Sequence, residues 1–400
     1  MRNPILLFLV MSMAIFASAE EGALIDGMED ANLRTIPDGK GQKAEQVEGK
    51  VGKAVKLNFP DNCTGLFFAT KIRGTPEWDA AAGFSFWVKG DGSDKLGGIQ
   101  FIWNEDYALR YTVAFPIDST EWKKITIAWR DVVPVLPSPN AKPLDPKAGN
   151  PPSKLTACWM GKFYFWKDYG AHSYALDEWH LEPKIELDNN EYKPAGAPLA
   201  RLLEKLKAKK PVTIVTVGDS LTDFAHWTNK QTNWPTLLKA KIKEKYGIDA
   251  TIVNPAIGGT LLRQGMVIIP RWVKQAPEPD LVTVCYGYND NDSGMTGDQF
   301  HEAQVDAVDR IRRVTHGKAD VMVITTCPAV AKWDSLSDFA EACRKAAKEK
   351  SAGLCDTYAA FHEAGKENKE KLYADGTHMS AAGQELFAKT VLDAIESNGK

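Results

Sequence analysis

One short stretch divides the chain into two textures. Residues 188–198 read Asp-Asn-Asn-Glu-Tyr-Lys-Pro-Ala-Gly-Ala-Pro, a polar run with a glycine and two prolines that suits a linker. Upstream of it, apolar and polar residues alternate over short runs. Downstream, β-branched apolar runs alternate with amphipathic segments of helical period. A period of two buries one face of an antiparallel sheet, whereas continuous apolar strands between helices are buried on both faces of a parallel one. The chain is therefore predicted to hold an all-β unit over residues 20–187 and an α/β unit over 199–400. Its 400 residues are enough for two cores.

The upstream runs include 54–59, 83–89, 98–103, 111–115, 122–127, 162–166 and 174–181. Turn signals such as Gly90-Asp91-Gly92 separate them. Short strands at this spacing predict a β-sandwich. Seven prolines between Pro134 and Pro152 exclude a central strand there and predict a long surface excursion, one that could pack on the second unit. Eight of the twelve tryptophans lie in this region, at 78, 87, 103, 122, 129, 159, 166 and 179. Alternating tryptophans can fill a sandwich core, and exposed ones can stack on the apolar face of a sugar ring.

The first nineteen residues have a different logic. Arg2 precedes an apolar run from Ile5 to Phe16, and Ala17-Ser18-Ala19 follows. That is the layout of a signal peptide, cut near Ala19/Glu20, too short for a confident membrane span. The expected mature chain is secreted or periplasmic, with no stable membrane insertion. A net charge of −3 gives no footprint for nucleic acid. The six cysteines form no C-x-x-C pair, so zinc and dithiol chemistry are not indicated. Export would permit disulfides such as Cys63–Cys158 or Cys343–Cys355, and Cys285 reads as a buried thiol.

In the downstream unit the strand-like runs are 211–217, 250–253, 280–286, 320–326 and 353–356, with helices expected at about 233–246, 298–316, 337–350 and 380–397. A five-stranded parallel sheet follows, and such sheets carry their sites at the C-terminal edge of the strands. Four groups fall on that edge: Gly218-Asp219-Ser220, Asn254 to Thr260 with Gly258-Gly259, Gly287-Tyr288-Asn289-Asp290, and Asp375-Gly376-Thr377-His378. Each alone is ordinary turn chemistry. Together they supply the parts of acyl transfer. A serine hydroxyl needs a base, and His378 is the candidate; the base needs one tautomer, and Asp375 can accept its Nδ1–H. The oxyanion formed on attack needs converging donors, which the Ser220 and Gly259 N–H groups and the Asn289 amide can provide. Ser220 is expected at the mouth of the following helix, whose free N–H groups would add positive potential.

These four blocks resemble those of the SGNH, or GDSL-type, hydrolases, with Gly218-Asp219-Ser220-Leu221, Gly259, Asn289 and Asp375–His378 at the matching positions. The resemblance spans residues 199–400 and implies a three-layer flavodoxin-like α/β fold. It implies esterase chemistry with no cofactor, catalysed by Ser220, His378 and Asp375, with Ser220, Gly259 and Asn289 as the oxyanion hole. The upstream unit resembles the jelly-roll carbohydrate-binding modules of the galactose-binding-like type, on Leu24–Asp30, Phe84–Gly92, Glu121–Ile125 and Leu176–Glu178. Modules of that kind often hold a structural calcium, for which Asp26, Glu29 and Asp177 are ligands of the right type.

The expected function is an exported serine esterase removing acetyl or other small acyl groups from a polysaccharide or oligosaccharide. The sandwich would bind the glycan or shape the site, and Trp227, Tyr288 and Trp333 would be sugar platforms beside it. Two alternatives stand: a lipid or thioester hydrolase, and a glycan-binding protein with a vestigial hydrolase unit.

Overall fold

The computed structural model describes residues 22–31, 33–36, 41–63, 65–162 and 170–400. The leader-like segment, Trp166 and most of the expected run 162–166 lie outside them.

The described residues between 24 and 182 form two antiparallel sheets. In the first, the strand order is Lys43–Glu48, Lys53–Phe59, His172–Glu182, Gly83–Gly90, Lys123–Ala128, with Leu24–Asp26 also paired to His172–Glu182. In the second, the order is Val133–Pro134, Asp106–Pro116, Leu96–Trp103, Leu155–Lys162, Leu66–Ala69, Arg34–Ile36. One core takes alternate residues from both sheets, including Leu57, Phe86 and Leu176 from the first and Phe67, Phe101 and Phe115 from the second. Rings interlock across it: Phe86 meets Phe115 edge-on at 5.0 Å, and Phe84 meets Phe101 at 5.7 Å. Offset and edge-on pairs of this kind add to the burial of their area.

The tryptophans divide between the core and the surface, and two of the buried ones, Trp78 and Trp129, sit on short 3-10 turns rather than strands. Trp78, Trp129 and Trp179 are buried in the core, and Trp103 is half-buried against it. Trp87, Trp122 and Trp159 are only partly buried. Trp159 lies beside the exposed Tyr107 at 5.8 Å, with the Arg110 guanidinium 5.4 Å over its ring.

The carboxylates named as calcium ligands accept backbone N–H groups. Asp177 Oδ2 accepts the N–H groups of Lys50 and Val51 at 2.6 and 3.0 Å. Glu29 accepts Lys53 N–H at 3.1 Å, and Asp26 accepts Met28 N–H at 2.8 Å. Most of these donors lie in the 50–53 turn. Among the described residues no group of three or more His, Cys, Asp or Glu side chains is arranged to hold a metal. The six cysteines are buried and free.

No strand occurs between Glu182 and Thr213, where the parallel sheet begins. That sheet has the order Thr251–Val253, Thr213–Gly218, Leu281–Cys285, Asp320–Ile324, Gly353–Cys355, the flavodoxin-like arrangement. All of its pairs are parallel. Helices cover both faces. On one side Leu202, Trp234, Leu238, Phe387 and Ile395 pack on Ile214 and Met322. On the other, Met266, Phe300, Ile311, Phe339 and Cys343 pack on Val215, Val284 and Val323. The helix Trp234–Tyr246 is capped by Asn233, which accepts Thr236 N–H, and ends at Gly247 in the left-handed region. Ser380 caps the last helix as expected, while Ser337 falls at the first helical position, with Leu336 at the cap. Among the described residues no helix is long and apolar enough to cross a membrane.

The proline-rich excursion leans on the α/β unit. Val133, Val135 and Leu136 form an apolar seam with Leu96, Ala114, Val267, Ile268 and Ile257. Gln299 Nε2 donates to Ser138 O at 3.1 Å. The buried Arg310 donates to the carbonyls of Arg130 and Asp131 at 2.7 and 3.2 Å.

Candidate active site

The strand Thr213–Gly218 stops where the chain has to turn sharply. A Cβ at Gly218 would lie 2.4 Å from Thr222 Oγ1 and 3.0 Å from Cys285 O, so only glycine fits. Asp219 then builds the turn. Its side chain accepts Leu221 N–H at 3.0 Å, and its carbonyl accepts the N–H groups of Thr222 and Asp223. Ser220 projects from this turn and is 9% exposed. The helix expected beneath it is absent. Residues 219–233 form an irregular loop, and the next helix starts at Trp234. Any positive potential at Ser220 therefore comes from local N–H groups and not from a helix end.

Buried side chains hold this loop in place of a helix. Asn229, with no exposure, donates to Ser220 O at 2.6 Å and to Asp223 O at 2.9 Å. Gln384 of the last helix donates to Asn229 Oδ1 at 3.0 Å and accepts Trp234 N–H at 2.8 Å. Asn254 fastens the opposite side, donating to Thr216 Oγ1 and Thr222 O.

Ser220 Oγ lies 3.0 Å from His378 Nε2, and His378 Nδ1 lies 2.7 Å from Asp375 Oδ2. The other Asp375 oxygen accepts the N–H groups of Thr377 and His378 at 3.0 and 2.7 Å. Gly376, with φ of +85°, makes the bend that lets one carboxylate serve both. Burial alone would raise the Asp375 carboxyl, yet the hydrogen bonds from His378 and Thr377 carry it below its ordinary value.

The second loop meets the first at Gly258, whose N–H donates to Asp223 Oδ2 at 2.9 Å. A Cβ there would be 3.5 Å from Ser220 Cβ. Gly259 follows with φ of +76°. Neither Ser220 N–H nor Gly259 N–H donates to an acceptor among the described residues. Asn289 comes from the third loop, in the turn of helix after Gly287. Its Nδ2 donates to Asp219 Oδ2 and to Thr260 O, both at 3.2 Å. Those two partners adjoin Ser220 and Gly259, so Asn289 ties the three loops together.

Beside them lies a pair of buried carboxyls, Asp219 and Asp290. Burial pushes both Asp219 and Asp290 up to about 7, against the opposing N–H bonds from Leu221 and Leu262. Each acid group sits where its charged form is costly.

The expected sugar platforms fare differently. Trp227 is 64% exposed, its ring 6.2 Å from that of His378. Tyr288 OH lies 3.4 Å from Thr377 Oγ1, on the rim of the same loop, with Lys332 Nζ 4.9 Å over its ring. Trp333 is partly buried and lies against the core, its ring tilted on that of His362 at 4.7 Å and close to where a Cβ at residue 365 would be. His226, which the sequence reading passed over, stacks on His378 with ring centroids 4.2 Å apart. Nothing in its local pattern marked it, because the contact depends on the loop's path.

Residues 216–386 match the model of the GDSL-like lipase/acylhydrolase family. The matched stretch includes Ser220, Gly259, Asn289, Asp375 and His378. No curated protein matches the chain. Solved structures that resemble it include an acetylxylan esterase from Geobacillus stearothermophilus, at 20% identity and a TM-score of 0.39, covering 46% of this chain and 94% of that one. Another is a lipase/acylhydrolase from Enterococcus faecalis, at 21% identity and 0.38, covering 46% and 96%.

Proposed function

We propose that the chain is an exported serine esterase that removes acetyl or other small acyl groups from a polysaccharide or oligosaccharide. The observation that carries the reading is the unbroken line Asp375–His378–Ser220, with contacts of 2.7 and 3.0 Å. In this reading Ser220 Oγ attacks the acyl carbon while its proton passes to His378 Nε2. Asp375, kept ionised, holds the tautomer that leaves Nε2 free as base and stabilises the imidazolium. The carbonyl electrons move onto oxygen, where the N–H groups of Ser220 and Gly259 would meet them. Asn289 can add a third donor by exchanging one of its two present acceptors for the oxyanion. Collapse of the tetrahedral species expels the sugar oxygen, which takes the proton from His378. Water then attacks the acyl-Ser220 by the same route, releasing acetate and restoring the serine.

Two features favour a glycan. Trp227 offers an exposed ring beside His378, and Tyr107, Trp159 and Arg110 form an outward aromatic and cationic cluster on the second sheet. The leader-like residues 1–19 favour export. Acetate release from a panel of acetylated polysaccharides tests the reading. The wild type should release acetate and Ser220→Ala should fall to background; equal release by both would refute it. A preference for long-chain p-nitrophenyl esters over the acetate would instead favour a lipid or thioester substrate.

A further inference from the structure

The two hydrogen bonds to His378 are made at the edge of its ring, where Asp375 holds Nδ1 and Ser220 holds Nε2. Together with the Cβ–Cγ bond they oppose a small tilt of the ring only by slight bending of each contact. Such a tilt turns the Nε2 lone pair relative to the serine and to the leaving oxygen. A contact on the face of the ring opposes it directly.

His226 supplies a face. Its ring is stacked on His378 at 4.2 Å with an interplanar angle of 27°. The His226 ring is itself confined. Nδ1 lies 2.7 Å from Thr228 Oγ1, and Cδ2 stands 3.3 Å from where a Cβ on Gly258 would be. Its backbone is pinned on both sides, with His226 N–H donating to Asp223 O and His226 O accepting Asn229 N–H. Trp227 closes against the same imidazole at 6.2 Å and 64°, toward solvent.

We propose that His226 is a positioning residue for His378, its stacked ring fixing the plane in which the imidazole exchanges protons with Ser220 and the leaving group. The inference rests on the esterase reading of Ser220 and His378. A base misaligned by a fraction of an ångström or a few tens of degrees loses rate without losing substrate affinity. The charge of His226 is compatible with the role. Burial and the neighbouring His378 hold it below its ordinary value, against the opposing carboxylates of Asp223 and Asp375. A neutral ring does not repel the imidazolium formed during the reaction.

The test is the hydrolysis of p-nitrophenyl acetate by wild type, His226→Ala, His226→Gln, His226→Phe and Ser220→Ala, with kcat and KM resolved and thermal melting recorded for each. His226→Ala and His226→Gln should lose about 10- to 100-fold in kcat with KM little changed. His226→Phe, which keeps a flat ring but no ring nitrogen, should recover most of that loss. Wild-type kcat in His226→Ala overturns the proposal, and so does a Phe variant no better than Gln. A loss confined to KM also overturns it, because it would make His226 a substrate contact. The Gln and Phe variants remove the same ring nitrogens, so a shared melting temperature with different kcat separates alignment from folding. Ser220→Ala guards the underlying reading: activity surviving there defeats the esterase mechanism itself, whatever the His226 variants do.

Discussion

Asp375 does two tasks with one carboxylate, and the second is easily overlooked. One oxygen faces His378 Nδ1, while the other accepts the N–H groups of Thr377 and His378 and so builds the loop that carries the histidine. An amide at this position keeps the size but offers one oxygen and an NH2 group, and the wrong tautomer of His378 follows. Asp375→Asn should lower kcat by up to about 10⁴-fold. The sign of its effect on stability follows from the lowered pKa. The ionised carboxylate stabilises the fold above the unfolded value near ~3.9, and that contribution disappears as pH falls through the lower folded value. Melting curves should therefore show wild type above Asp375→Asn at neutral pH, with the gap closing below about pH 4. A gap that persists in acid would remove the ion pair from the explanation. Ser220, His378, Asp375, Gly259 and Asn289 were legible in the sequence as candidates, because acyl transfer needs residues of these types, and the structure brings Ser220, His378 and Asp375 into one hydrogen-bonded line. Asn229, Asp223 and His226 were not, because Asn and Asp suit any turn and the partners of all three are set by a loop path that no local pattern encodes.

At the scale of elements, that loop is the main departure from expectation. The strand and its abrupt end at Gly218 were visible as a β-branched run followed by glycine. The next helix lies where its sequence signal put it, at Trp234–Tyr246, but Ser220 is not at its mouth, and the intervening turn is organised by the buried Asp219. Other elements met their sequence signals closely: Asp320–Ile324 and Leu281–Cys285 lie inside their apolar runs, and the Ser380 cap opens the last helix. Polar capping and continuous apolar runs are local properties, which is why they could be read. The burial of Asp219 beside Asp290 is not local, and it carries a stability cost that rises with pH. Both carboxyls hold their protons up to about 7 in the fold, whereas the unfolded chain releases them near ~3.9. The favourable protonated state is fully present below the unfolded value and is lost as pH rises through the folded one. Wild type should thus lose stability between about pH 4 and 7, and Asp219→Asn should flatten that decline, raising the melting temperature at pH 7 by roughly 2–4 °C for each kcal/mol recovered. An unchanged slope in this variant would mean that the pair titrates in the ordinary carboxylate range.

For the whole molecule, two units with different periods were foreseeable, and so was the possibility that the proline-rich excursion packs across the boundary. What the sequence could not show is where that packing lands. Val133, Val135, Leu96 and Ala114 reach Val267, Ile268 and Ile257, and Ile257 lies two residues before Gly259 in the loop proposed to hold the oxyanion. The β unit thus packs against the loop that carries Gly259, whether or not it also binds sugar. Arg310 fixes this seam from the α/β side. Its guanidinium pairs with Asp306 at 2.7 Å and donates to the carbonyls of Arg130 and Asp131, which no apolar contact could satisfy. Removing it leaves those carbonyls without their donor and the Asp306 carboxylate without its cation. Arg310→Ala should cost about 1–3 kcal/mol in stability. Because the seam ends at Ile257, kcat for p-nitrophenyl acetate should fall several-fold while KM changes little, and cleavage by added protease between Glu182 and Thr213 should quicken as the units part. The control is Arg313→Ala at the same helix, whose 4.0 Å approach to Asp131 is the weaker contact and should matter far less. If Arg310→Ala melts lower but keeps full kcat, the seam holds the units together without serving the site. If it keeps both, the docking of the sandwich is incidental to hydrolysis.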